Sequence, residues 1–387
     1  MTPGARVAAA ITIIDNIKTG IPAEQALIKW ARASRFAGSK DRAAIRDYVF
    51  DVLRARRSLG DGDGRAVIMR LLRRDAADLA AYFHGEGHAP PPPTDAERAD
   101  LALPLALSEP AAHDMPDWLW PLWLESLGAD ARPAALALQH RAPTFLRVNR
   151  RNGTSEAAIT ELAAADIVAE PHETVRGCLR VTENAPRIKT SAAFQKGLVE
   201  LQDAASQFAV QEVPFGGRGR ILDYCAGGGG KALAFADLHP EADVFAHDVS
   251  PARMADLPAR ASRAKVNITR LSTHDLTGQA PFDLVFCDAP CSGSGTWRRT
   301  PDAKWRLTKD RLAALQETQA KVLAKAAPLV AFGGFLVYAT CSVLREENEA
   351  TIAGFLRANP AWEICDQHRL LPGGAGDGFF LCVLVQK

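Results

Sequence analysis

Arg220-Ile-Leu-Asp-Tyr-Cys-Ala-Gly-Gly-Gly-Gly-Lys231 is the stretch that decides the fold. Ile221 and Leu222 sit in a short run that reads as a strand, and the run breaks into four consecutive glycines before an apolar helical stretch opens at Ala232. Strand, glycine turn and helix in that order form the first unit of a doubly wound sheet, whose ligands bind at the carboxyl ends of its strands. Downstream, Val244 to His247, Phe282 to Cys287 and Phe335 to Thr340 are further apolar strand candidates with helical stretches between them. Ser250-Pro251 supplies an N-cap and a first-turn proline for the helix after the second strand. The expected fold class is α/β, a Rossmann-like doubly wound sheet.

The glycine turn asks for a ligand. A phosphate loop of the Walker type needs glycine six residues before the lysine and Ser or Thr after it, and Cys225 and Ala232 stand there instead. A dinucleotide loop is formally met by Gly227, Gly229 and Ala232, with Asp248 about 20 residues on to hold a ribose, so a nicotinamide-dependent oxidoreductase stays open as an alternative. Asp223 inside the turn favours a different cofactor. Its carboxylate would repel a pyrophosphate but suits a cationic amino acid moiety, such as that of S-adenosylmethionine.

The third strand candidate ends in Cys287-Asp-Ala-Pro-Cys291-Ser-Gly-Ser-Gly295 and the fourth in Ala339-Thr-Cys341-Ser342. An acid, Asp288, and two thiols, Cys291 and Cys341, are thereby expected at one crevice with the glycine turn. A free cysteine is usually a small buried hydrophobe, and Cys178, Cys225, Cys287, Cys365 and Cys382 are read as structural or lining. Two at the ends of neighbouring strands beside a cofactor loop point to chemistry. Methyltransferases acting on exocyclic nitrogen usually carry an aromatic residue where Cys291 stands, so carbon is the expected target. The spacing of Cys287, Cys291 and Asp288 is wrong for zinc, and no metal is expected.

The whole chain has 387 residues, 46 Lys+Arg against 45 Asp+Glu, 47% hydrophobic and 24% charged residues, the composition of an ordinary globular protein of two or three domains. No apolar run reaches the ~18–20 residues of a membrane helix, and the start lacks a secretory pattern. Seven cysteines, an odd number, fit reduced thiols, and a cytoplasmic monomer is expected. The balanced charge hides a local patch: between Trp297 and Arg311 lie Arg298, Arg299, Lys304, Arg306, Lys309 and Arg311 against Asp302 and Asp310. Coming directly after the Cys291 loop, Arg298, Arg299, Lys304 and Arg306 are candidates for contacts to phosphate, and Trp297 and Trp305 either stack on bases or pack in a core. Upstream, Ile45, Val49, Val52 and Leu53 mark one face of a helix, and Trp118, Trp120 and Trp123 fit a short aromatic helix that packs or docks. The expected division is a helical domain over 1–140, a small α+β module over 141–206 opened by the alternating Phe145-Leu-Arg-Val-Asn149, and the Rossmann-like domain over 207–387.

Asp223-Tyr-Cys-Ala-Gly-Gly-Gly-Gly-Lys231, Asp288-Ala-Pro-Cys-Ser-Gly-Ser-Gly295, Arg298-Arg-Thr-Pro-Asp-Ala-Lys-Trp305, Thr340-Cys-Ser342 and Asp377-Gly-Phe-Phe380 together resemble the RsmB/Nop/Sun class of RNA cytosine-C5 methyltransferases. The likeness runs from about Trp118 to the C-terminus and takes in Leu146-Arg-Val-Asn149 and Gln202-Asp-Ala-Ala-Ser206. More loosely, Gly38-Ser-Lys-Asp-Arg42 leading into Tyr48-Val-Phe-Asp-Val-Leu53 resembles the NusB-like RNA-binding domain of the bacterial members. The resemblance implies that Cys341 is the nucleophile toward cytosine C6 and that Cys291 assists proton removal or product release. It implies that Asp288 contacts the base edge or the cofactor, and that Cys225, Ala226, Gly227, Gly228, Gly229, Gly230 and Lys231 cradle the methionine of S-adenosylmethionine. Asp248 would hold the ribose and Asp275 the adenine amine. The implied substrate is an unpaired cytosine in RNA, with small-subunit ribosomal RNA as the expected partner; a non-catalytic RNA-binding assembly factor is the second alternative. The family usually has Ala-Pro where Gly227-Gly228 stand, and the extra backbone freedom is expected to weaken cofactor binding.

Overall fold

The computed structural model describes residues 1–387, which divide into two compact units. One comprises Met1–Arg141 together with Trp297–Arg306; the other comprises Ala142–Thr296 and Leu307–Lys387.

The first unit is helical. Its longer helices are Pro3–Lys18, Ala23–Ala33, Ser39–Arg54 and Gly64–Arg74. The first starts on Thr2, whose hydroxyl accepts from Ala5 N, and the fourth on Asp63, whose carboxylate accepts from Ala66 N. Ile45, Val49, Val52 and Leu53 are all buried, on the face their spacing predicts, beside Val7, Ile13 and Ile68. Trp123 is buried and donates its indole N–H to the Ala131 carbonyl at 2.8 Å. The segment 297–306 belongs to this unit, not to the Rossmann-like domain in which 207–387 placed it. Trp297 stacks on Trp123 with centroids 6.1 Å apart, Trp305 donates to the Leu53 carbonyl at 2.6 Å, and Arg54 donates to the Arg298 carbonyl at 2.8 Å.

These contacts correct the expected phosphate patch. Arg298 is 3% and Lys304 1% exposed, so both cations are buried within the helical unit. Burial pulls the Lys304 ammonium down to about 8, against the opposing pull of Asp114. Arg299 is half-buried and only Arg306 is exposed, 3.8 Å from Asp302. Arg298 and Lys304 are structural, as are Trp297 and Trp305. A run of cations looked solvated in sequence because nothing local signals that two of them turn inward.

The second unit contains two sheets. The smaller is antiparallel, built from β1 (Thr144–Val148), β2 (Val168–Pro171), β3 (Cys178–Glu183) and β4 (Val199–Leu201) in the order β2-β3-β1-β4, with the helix Ser155–Ala163 beside it. The larger has seven strands: β5 (Arg218–Asp223), β6 (Glu241–His247), β7 (Thr269–Leu271), β8 (Phe282–Asp288), β9 (Val330–Thr340), β10 (Trp362–Leu370) and β11 (Phe379–Gln386). Their order is β10-β11-β9-β8-β5-β6-β7; β5 to β9 run parallel, and β11 pairs antiparallel with β9 and β10. The four strands expected from sequence are β5, β6, β8 and β9. Three residues are too few for β7 to show a period, and β10 carries mostly polar residues. From β5 the chain steps outward to β6 and β7, then returns to lay β8 on the other side of β5. That reversal leaves a crevice at the carboxyl ends of β5 and β8, where such sheets bind ligands.

A buried ion pair joins the small sheet to the helix that follows β5. Arg147 on β1 meets Asp237 in the helix Gly230–Leu238 at 2.9 Å, and its Nε donates to Gln202 at 2.8 Å. Gln202 in turn donates to the Gly230 carbonyl at 3.1 Å, which carries the restraint from the small sheet into the glycine turn.

Candidate active site

The crevice at the switch point has a volume of about 610 Å³ and is lined by the glycine turn after β5, the Asp288 to Cys291 loop after β8 and Cys341 after β9. Of the residues expected there, Cys225, Ala226, Gly227, Gly228, Gly230, Lys231, Asp288, Cys291 and Cys341 line it. Gly229 packs behind them with φ +77°, where a Cβ would collide with Leu257, so only glycine closes this turn. Asp248 and Asp275 are not among the lining residues. Asp248 is buried and accepts from Gly227 N at 2.9 Å and Ser250 N at 2.9 Å, with Arg253 3.1 Å away. Asp275 is half-exposed and bonded to the backbone and hydroxyl of Ser272, which hold its carboxyl below the usual range.

The turn that lacks Ala-Pro is pinned by other means. Gly227 takes φ +51°, a conformation that alanine adopts only with strain, and its N–H is tied to Asp248. Arg260 donates to the Gly228 carbonyl and lies 3.4 Å from Glu200, a buried carboxylate that also holds Arg263 at 2.7 Å. Arg260→Ala is therefore expected to raise the dissociation constant for S-adenosylmethionine by about three- to tenfold, a part of the worth of the charge-assisted bond that steadies the turn, in a calorimetric titration. An unchanged constant would remove Arg260 from the account.

Charge in the crevice is arranged around a lysine. Lys231 Nζ lies 2.6 Å from Asp288 Oδ2 and 5.3 Å from the centre of the Phe379 ring. Burial pulls its pKa down, but Asp288 and then Asp223 and Cys341 more than offset this, so the ammonium is held charged. Asp223 is 1% exposed; its Oδ2 accepts from Ala232 N at 3.0 Å, whereas its Oδ1 is buried with no partner. Desolvation raises its carboxyl to about 7, with Lys231 opposing and Asp288 and Asp248 reinforcing. An unpaired buried carboxylate oxygen facing the crevice fits a cationic ligand group, and the amino group of S-adenosylmethionine supplies one.

Because the folded pKa of Asp223 lies above its ordinary value of 3.8, the folded protein holds this proton between about pH 4 and 7 while the unfolded chain releases it. Stability from this group falls as pH rises through that window, while affinity for a cation rises toward pH 7. Asp223→Asn keeps the bond to Ala232 N and removes the charge. Its melting temperature at pH 8 is expected to exceed that of the parent, while S-adenosylmethionine binding weakens by about tenfold or more. A variant that melts lower at pH 8 yet binds equally well would contradict both halves.

Both thiols line the same crevice. Cys291 Sγ and Cys341 Sγ are 3.4 Å apart. The hydrogen bond between Cys291 and Cys341 is the largest influence on Cys291, followed by burial and by the charges of Cys341 and Glu347; these push its pKa well up. Cys291 therefore holds its proton against the neighbouring sulfur. The buried Cys287, Cys178 and Cys382 are pushed up by desolvation, as inert thiols are.

Gln202, Asp203 and Ser206, at and just before the start of the helix Ala204–Gln211, are part of the resemblance but have no role there; Arg253 from the turn after β6 and Leu315 from the helix Lys309–Ala326 escaped sequence reasoning. Arg311 also lines the crevice; of the six cations between Trp297 and Arg311 it alone does so.

Comparison with known proteins agrees with this geometry. The family profile described as 16S rRNA methyltransferase RsmB/F matches residues 216–381, and the one described as an RsmF/B-like ferredoxin-like domain matches residues 115–187. The ribosomal RNA small subunit methyltransferase B of Yersinia pestis bv. Antiqua (strain Angola) is 34% identical over 307 residues, covering 73% of this chain and 70% of the relative. Among solved structures, the protein titled PH0851 superposes with a TM-score of 0.76 at 22% identity, covering 100% of this chain and 99% of that one. A methyltransferase homologue from Pyrococcus horikoshii gives 0.60 at 24% identity, covering 73% and 100%. No helix is long and apolar enough to cross a membrane. The thiol pair, the glycine turn and these matches lead to one conclusion: the chain belongs to the RsmB/F family of S-adenosylmethionine-dependent ribosomal RNA methyltransferases.

Proposed function

We propose that this protein methylates C5 of an unpaired cytosine in small-subunit ribosomal RNA through a covalent bond between Cys341 and C6 of the ring. The observation that carries the reading is the pair of sulfurs 3.4 Å apart in the crevice that the glycine turn lines. Cytosine C5 is a poor nucleophile, and an enzyme that alkylates it must first push electrons into the ring. Addition of the Cys341 thiolate to C6 does this, making C5 the carbon of an enamine. S-adenosylmethionine supplies the electrophilic methyl group when bound. Lys231, held charged by Asp288, places a cation in the crevice that Cys341 lines.

Release needs the C5 proton to leave before the C6–S bond can break. Once Cys341 is bonded to carbon, its hydrogen bond and charge no longer hold the proton on Cys291. Cys291 then loses that proton to solvent, accepts the C5 proton as a thiolate, and Cys341 departs with the electrons of the C6–S bond. The base reaches this crevice only out of a stack, which is why unpaired RNA is the substrate. Asp223 and Asp288 in the same crevice oppose a pyrophosphate, the group a nicotinamide dinucleotide would bring.

Mapping 5-methylcytosine in 16S ribosomal RNA from cells with and without the protein tests the reading. One cytosine is expected to lose its methyl group when the protein is absent and to regain it with purified protein and S-adenosylmethionine. Retention of every 5-methylcytosine would overturn the proposal.

A further inference from the structure

Behind the two thiols lies a carboxylate that the reaction as written does not use. Glu347 is fully buried, in the turn between β9 and the helix Glu349–Ala358. It accepts four hydrogen bonds. Oε1 takes the Ser292 N–H at 2.8 Å and the Gln319 side-chain amide at 3.0 Å; Oε2 takes the hydroxyls of Ser292 and, at 2.6 Å, Ser342. Ser292 directly follows Cys291, and Ser342 directly follows Cys341. The geometry points to Glu347 as the positioning residue that sets the distance between the two reactive sulfurs, by tying the loop that carries each to a single carboxylate; this rests on the two-thiol reading above.

The rest of the network supports that role. Ser342 Oγ lies 2.8 Å from Ser294 Oγ, which itself accepts from Val343 N at 2.8 Å, so the two loops are sewn together beyond the carboxylate as well. The turn after Cys341 is closed by Asn348, which accepts from the Thr340 hydroxyl at 2.6 Å and donates to the Ser342 carbonyl at 2.9 Å. Glu347 is anchored in turn, because its own carbonyl accepts from the Tyr338 hydroxyl at 2.6 Å on β9. A buried carboxylate is costly to desolvate, and a chain needing only a packed turn would be as well served by an apolar residue. Four donors from both thiol-bearing loops and a helix give the charge a purpose: it fixes in space two loops that belong to separate strands.

The test reads the sulfur spacing directly, in the full chain without RNA. Diamide oxidises two neighbouring thiols to a disulfide and is itself reduced to the hydrazine, so the rate of Cys291–Cys341 cross-linking, followed by peptide mass, reports how readily the sulfurs meet. Glu347→Ala is expected to slow cross-linking and lower kcat by about tenfold or more while leaving the S-adenosylmethionine dissociation constant within about twofold, because displacement of reacting atoms costs rate and not cofactor affinity. The charge effect has the opposite sign: removing an anion beside Cys291 eases its ionisation and would speed cross-linking, so slowing isolates geometry. Glu347→Gln retains acceptor and donor at the same place, and the serine hydroxyls can turn to meet it; because it also removes the anion, cross-linking at the parent rate or faster is expected. Where Glu347→Ala does not fold, Glu347→Gln combined with Ser342→Ala cuts the tie to the Cys341 loop, which reaches residue 347 through the Ser342 hydroxyl, without stranding a charge, and slower cross-linking is expected there. Cross-linking at the parent rate in either loop-cutting variant overturns the proposal, whatever the activity. Slowed cross-linking in a protein that leaves cytosine unmethylated would sink the two-thiol chemistry and leave the positioning role standing.

Discussion

Cys341→Ser is expected to lower methyl transfer to RNA by about a thousandfold or more, as removal of a covalent nucleophile does. The substitution is close to isosteric, and Cys341 is only partly buried at the mouth of its turn, so the fold should be preserved. What changes is the acidity of the attacking group. A thiol has an ordinary pKa within reach of neutral pH, but a serine hydroxyl lies many units higher and no histidine stands beside it among the crevice residues. The variant should bind S-adenosylmethionine as the parent does, because no contact of Asp223 or of the glycine turn is touched. Transfer of labelled methyl groups to 16S ribosomal RNA, measured beside cofactor affinity, checks this. Activity within tenfold of the parent would mean that no covalent bond to Cys341 is required.

Cys291→Ala is expected to fail at the other end of the cycle. With Cys341 intact the adduct forms, but the nearest sulfur able to take the C5 proton, 3.4 Å from Cys341, is gone. Turnover should fall by about a hundredfold, the usual worth of a positioned base, while a protein–RNA species resistant to denaturant accumulates to near one equivalent. The two cysteines are thereby separable: one variant gives no adduct and the other gives too much. A Cys291→Ala protein that turns over at the parent rate, with no retarded band on a denaturing gel, would remove Cys291 from product release.

Sequence reading located the crevice because its chemistry is written in short runs. Four glycines after Asp223, a proline turn between Asp288 and Cys291, and Thr340-Cys341-Ser342 each lie at the end of an apolar strand, and topology alone brings strand ends together. Residues reached through tertiary packing were not legible. Glu347 sits in Glu346-Glu347-Asn348-Glu349, which reads as a solvated acidic run until Ser292 and Ser342 are brought against it. Lys304 errs in the opposite direction: its neighbour Arg306 is exposed while its ammonium lies buried near Asp114, a partner 190 positions earlier. Arg260 became visible only through the Gly228 carbonyl it grips.

The ten residues from Trp297 to Arg306 that complete the helical unit also set an order of events during synthesis. When the ribosome has released the first 141 residues, Trp123 still lacks the indole ring it stacks on and Leu53 the donor for its carbonyl. Both arrive only after β5 to β8 have emerged. The helical unit is therefore finished late, and a gene fragment ending at residue 141 encodes an incomplete object whose exposed Trp123 face invites aggregation. Boundaries for expressing either half alone should follow the spatial division, with residues 297–306 grafted onto the N-terminal piece by a short linker.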